Sequence, residues 1–149
     1  MPNPASGLPG VRFAATVFAL AGACSALAAD LTVTVENIKD DSGQVLVGVF
    51  DSPSGFLKEA RFGKRIPASG RDAGGRIIVN FAGLQEGTYA VSAIHDKDGN
   101  QKLTMNLIGV PSEPLGFSGK GNPTFGPPAF NDAAFLLPAN GAEISISVK

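Results

Sequence analysis

Asp96, Asp98 and Asn100 put a side-chain oxygen at every second position of the run His95-Asp96-Lys97-Asp98-Gly99-Asn100-Gln101-Lys102-Leu103. Oxygen donors at that spacing let a turning backbone wrap a hard cation, and the Lys102 carbonyl would follow as the next ligand. Calcium is the cofactor this half-pattern suggests. The closing half does not follow. Thr104 stands at the ninth place and Leu107 at the twelfth, where a bidentate Glu belongs, and the glycine comes at the fourth place instead of the sixth. The same residues also form a polar turn in which Asp and Asn bond their own backbone around Gly99. That turn, with no cofactor, is the expectation. A metal held by Asp96, Asp98, Asn100 and Lys102 is the alternative.

His95 is the only histidine, so no multi-histidine metal site can form. Beside an acidic loop it could exchange protons with Asp96, Asp98 or Glu113. It could equally hydrogen-bond the loop and fix its shape. No nucleophile is marked out, because the serines lie in Gly-rich turns or alternate along strands and no Gly-x-Ser-x-Gly elbow occurs. Gly74-Gly75 precedes no helical pattern, which removes a phosphate-binding loop. A non-catalytic role is therefore expected, with a hydrolase-type enzyme using His95 and Asp96 or Asp98 as the alternative.

The elements that must position this loop are strands. Leu31 to Ile38 alternates apolar and polar residues, the period of a strand with one buried face. Asp40-Asp41-Ser42-Gly43 is turn chemistry, and Gln44 to Phe50 reads as a central strand joined to the first by a hairpin. Phe56 to Phe62 predicts one or two helical turns capped by Ser54. Gly63 to Gly75 fits an edge strand or a loop. Arg76–Phe81 and Thr88–His95 predict two more strands in a second hairpin, and Glu143–Val148 a last half-buried one. Short strands separated by turns predict an all-β antiparallel sandwich of about seven strands with one short helix.

From Gly109 to Asn131 the chain holds five prolines and five glycines, a density that forbids helix and interrupts ladders. Leu115, Phe117, Phe125 and Phe130 are spread through it. Those rings are expected to dock on the sandwich and pin the segment over one end or face. With His95, the residues Phe117, Phe125 and Phe130 make up the candidate binding surface.

The N-terminal region has a different character. Arg12, the apolar run Phe13–Ala23 and Ala26-Leu27-Ala28 have the order of a secretory signal. Residues 1–29 are taken as that signal and 30–149 as one domain. The apolar run is shorter than the roughly 20 residues a membrane span requires. Cys24, the only cysteine, lies inside the expected signal, so the mature chain forms no internal disulfide. Leu20-Ala21-Gly22-Ala23-Cys24 resembles a lipoprotein box shifted by one residue, and lipid anchoring at Cys24 is the minor alternative to a periplasmic or secreted protein. After removal of Arg12, 11 Lys+Arg face 13 Asp+Glu, a net charge of −2. That balance excludes binding driven by nucleic-acid or anionic-membrane charge.

Several stretches together resemble the DUF2141 family of secreted bacterial proteins. They are His95–Leu103, Asn106, Gly109-Val110-Pro111, Glu113, Gly116-Phe117-Ser118, Phe125–Phe130, Asp132–Phe135, and Gly83-Leu84 with Gly87–Val91. The resemblance covers essentially the whole mature region. It implies an exported sandwich of immunoglobulin-like or prealbumin-like type and no defined activity. The family usually has glycine where this chain has Gln101 and an acid where it has Thr104, departures that weaken a calcium site in this chain. The expected function is that of an exported binding or envelope-associated module whose partner is an unknown ligand or envelope protein, or of a structural module whose polar loop braces the fold.

Overall fold

The computed structural model describes residues 28–120 and 126–149. The expected signal up to Leu27, Cys24 and Phe125 lie outside the described residues. The chain runs β1 (Ala28–Glu36), β2 (Gln44–Phe50), β3 (Phe62–Pro67), β4 (Ile77–Gln85), β5 (Gly87–Asp96), β6 (Leu115–Phe117), α1 (Phe130–Ala133), β7 (Phe135–Leu137) and β8 (Ala142–Ser147). A three-stranded sheet has the order β4-β1-β8, and the second sheet has the order β3-β2-β5-β6 with β7 on the start of β5. The fold is the expected all-β sandwich, with eight strands among the described residues.

Alternation decides the core. Leu31, Val33 and Val35 of β1 share a face with Phe81, Val79 and Ile77 of β4, their antiparallel partners. Val45, Val47 and Val49 of β2 share a face with His95, Ala93 and Val91 of β5. These two faces form one continuous buried cluster, closed by Leu84, Leu137 and Ile146. Packing of the two faces against each other is why β1 and β2 do not form the expected hairpin. The turn between them carries the chain from one sheet to the other, and β4 and β5 likewise lie in different sheets. With Leu31, Val33 and Val35 on β1 and Val45, Val47 and Val49 on β2, burying one stripe against the other removes more apolar surface from water than leaving both in one half-covered sheet.

Two further expectations change. β8 pairs parallel with β1, so the sheets are not wholly antiparallel. β8 arrives only after the whole second sheet, and it enters beside β1 in the same direction. The predicted helix over Phe56–Phe62 is a single turn, with the Lys58 and Glu59 N–H groups on the Gly55 carbonyl. Leu57 takes φ 58°, which halts propagation, and Phe62 already opens the edge strand β3. The helical turn of the fold is α1 instead.

The two sheets are also joined along one side. Leu115 and Lys149 exchange backbone hydrogen bonds, at 3.2 and 3.1 Å, across the gap between β6 and the end of β8. On the outer face of the second sheet, Phe50, Phe56, Ala90, Phe130 and Ala133 form a second buried cluster, with Phe117 packed against it. This cluster is the expected docking of the Gly/Pro-rich segment. Ser118 pins it, accepting the Val91 N–H and donating to the Ala133 carbonyl.

Candidate functional site: a braced loop and an exposed apolar tip

β5 delivers His95 and Asp96 to the end of the sandwich on opposite faces, because neighbouring residues of a strand point to opposite sides. His95 faces the core beside Val45 and is fully buried. Its Nε2 lies 2.9 Å from the Ser42 carbonyl. A carbonyl only accepts, so Nε2 carries the proton of that bond. Nδ1 is buried with no hydrogen-bond partner. The nearest carboxylate is Asp40 of the β1–β2 turn, at 3.8 Å, and that group is itself bound by Lys97 at 2.7 Å. Lys97 and Ser42 hold the Asp40 carboxyl well below the usual carboxylate range. The strand therefore does not bring His95 together with Asp96 or Asp98.

The turn and the loop interlock. Gly43 has φ 65°, and a Cβ there would lie 2.0 Å from the Asp96 carbonyl oxygen. Only glycine lets the turn pass so closely beneath the Asp96–Lys97 peptide.

Asp96, on the outer face, is buried and collects four donors. Its Oδ1 accepts the Gly99 and Asn100 N–H groups at 2.9 and 3.2 Å. Its Oδ2 accepts the Gln101 N–H at 2.8 Å and the side-chain amide of its cross-strand neighbour Gln44 at 2.7 Å. Burial pushes this carboxyl up; the Gln44 amide and the Gln101 and Gly99 N–H groups outweigh it and hold the carboxyl below its ordinary range. Gln101 sits at φ 65°, the left-handed region glycine tolerates best.

Glu113 is the residue that sequence reasoning missed as part of this loop. It is buried, and its two oxygens take the Lys97 and Thr104 N–H groups, each at 2.9 Å. One carboxylate thus ties both ends of the loop. Oxygens of Asp96, Asp98 and Glu113 come within 4.8 Å of one another. Among the described residues none of the three forms an ion pair. Of the four expected metal residues, Asp96 and Asp98 belong to this group. The Asn100 side chain is spent on the turn: its oxygen takes the Lys102 N–H and its amide donates to Asp98 and Thr104. Asp96 already accepts as many hydrogen bonds as a carboxylate offers places, while Asp98 and Glu113 keep free lone pairs. Thr104 donates to Asp98, a compensation that an acid at this place could not supply.

Of the aromatic residues expected on a binding surface, two are described, and neither is exposed. Phe130 is buried and Phe117 half-buried, both near Phe56, with ring centroids 5.7 and 6.4 Å away. They anchor the segment they belong to. An open cleft of about 490 Å³ lies beside the loop, lined by Gly43, Gln44, Arg65, Pro67, Gly99 and Gln101. His95 does not line it.

Beyond the loop the chain makes a short hairpin that points away from the body. Met105 and Pro111 bridge its base, and the Asn106 N–H reaches the Val110 carbonyl at 2.8 Å. At its tip Leu107 is 107 % exposed and Ile108 83 %, with Met105 at 52 % and Val110 at 50 %. The signal was present in the sequence. Leu103 to Ser112 carries no charge, and its turn residues Asn106 and Gly109 sit among large aliphatics with no alternation that would bury them.

The described residues form a small β-sandwich whose polar loop braces one end and leaves an uncharged apolar hairpin exposed. The chain belongs to the DUF2141 family, described as an uncharacterized protein conserved in bacteria, which matches residues 33–145. No curated protein and no solved structure matches it.

Proposed function

We propose that this chain is an exported, non-catalytic binding module of the bacterial envelope whose contact element is the hairpin tip Met105–Pro111. The observation that carries the proposal is the exposure of Leu107 and Ile108 on a turn closed by its own hydrogen bonds. Exposed large aliphatics in a row mark contact surfaces. Export is supported by the signal-like order of the first residues. The burial of His95 and its bond to Ser42 support bracing over proton transfer. The test is co-sedimentation of the purified protein with bacterial envelope fragments. The parent pellets with the fragments, and the Leu107→Ser, Ile108→Ser double variant stays in solution with its melting temperature within about 2 °C of the parent. Equal pelleting of both proteins would remove the tip from the contact.

A hard cation is a second reading, favoured by one observation: three close carboxylates without a counter-cation side chain. Asp98 and Glu113 would supply the free oxygens. Millimolar calcium then raises the melting temperature of the parent and leaves that of Glu113→Gln unchanged. An unchanged parent melt leaves these carboxylates as braces alone.

A further inference from the structure

We propose that the tip is a membrane-docking element which seats Leu107, Ile108 and Val110 in the boundary between headgroups and acyl chains of a lipid bilayer. This deepens the reading of the tip as contact element and rests on it. Three observations separate a bilayer from a protein partner.

First, the tip ties down three of its own N–H groups. Asn106 Oδ1 accepts the Ile108 and Val110 N–H groups at 3.0 and 2.9 Å, and the Gly109 N–H reaches the Asn106 carbonyl at 3.0 Å. Pro111 has no N–H to satisfy. Unpaired backbone groups are costly in lipid, where water cannot take them, so each N–H bonded within the tip lowers the cost of seating it there. Second, the apolar area is small. With Met105 at its base, the tip's Leu107, Ile108 and Val110 expose about the surface of three free aliphatic residues, well below the roughly 800 Å² per partner of a stable protein interface. Third, charge is absent from Leu103 to Ser112, and Lys102 and Glu113 flank the stretch with opposite signs. Docking is therefore apolar, weakly dependent on salt, and needs no anionic lipid.

The experiment is flotation of the purified protein with vesicles of phosphatidylcholine and phosphatidylethanolamine. The parent floats with them at low and at high salt. Leu107→Ser and Ile108→Ser, singly and together, weaken partitioning, the double variant by about tenfold or more. Ile78→Ser, at an exposed aliphatic of β4, leaves flotation unchanged. Circular dichroism verifies that each variant is folded, and the single variants carry the test if the double one is not. Tip-dependent sedimentation with envelope fragments but no flotation would assign the tip to a protein partner and overturn the lipid proposal alone. Tip-dependent self-association without flotation would assign it to a second copy, with the same consequence. Flotation that requires phosphatidylglycerol and vanishes in salt also overturns the proposal. Tip independence in both assays removes the contact reading as well.

Discussion

His95 and Asp96 are neighbours in sequence that do separate work. His95 fills the end of the core and holds the Ser42 carbonyl, while Asp96 gathers four donors on the outer face. His95→Ala should therefore cost stability, about 2–4 kcal/mol by urea unfolding, because it leaves a cavity and an orphaned carbonyl. A variant as stable as the parent would mean that the brace is not at His95. Asp96 makes a different prediction. Its carboxyl is lowered in the folded chain, so its contribution is present above the unfolded carboxylate range near pH 4 and is lost as pH falls through the folded value. The urea midpoint of the parent should fall between pH 5 and pH 2 by more than that of Asp96→Asn, which starts lower and titrates less. Parallel pH profiles would contradict this. The first half of the loop was legible, since alternating Asp and Asn around Gly99 already announced a turn. Glu113 was not, because it folds back from fifteen residues after Asp98 and no local spacing marks that return.

At the scale of elements, period-two alternation identified β1, β5 and β8, while apolar, β-branched and aromatic content identified β2 and β4. Neither could identify their partners. Alternation says which side of a strand is dry and is silent on whether the facing stripe is in the same sheet or across the core, so both expected hairpins became crossings between sheets. The seam between β6 and β8 was equally hidden. It depends on Gly116, where a Cβ would lie 2.6 Å from the Ser147 carbonyl oxygen and 2.7 Å from Ile146 Cγ2. Gly116→Ala should destabilise by about 1–3 kcal/mol, since backbone cannot yield as a side chain does. Gly63→Ala on the edge strand β3, with no neighbour nearer than 3.9 Å, should change the urea midpoint little. Equal effects at the two glycines would show that the seam is loose.

At the scale of the molecule, the sandwich is a rigid support with its polar chemistry turned inward. The carboxylates of the loop hold N–H groups, Phe117 and Phe130 of the Gly/Pro-rich segment pack on the second sheet, and the hairpin tip is left outside. Phe117 and Phe130, expected on a binding face, instead anchor the Gly/Pro-rich cover to the second sheet. The aliphatic tip was readable as an uncharged stretch, but its exposure follows only from the turn that Asn106 closes. The sequence contains no tryptophan, so Ile108→Trp places one reporter at the centre of the contact. Its fluorescence should show a fully water-exposed indole in the free protein and shift to the blue when zwitterionic vesicles are added. An emission already blue in the free protein, or one that vesicles leave unchanged, would contradict the account.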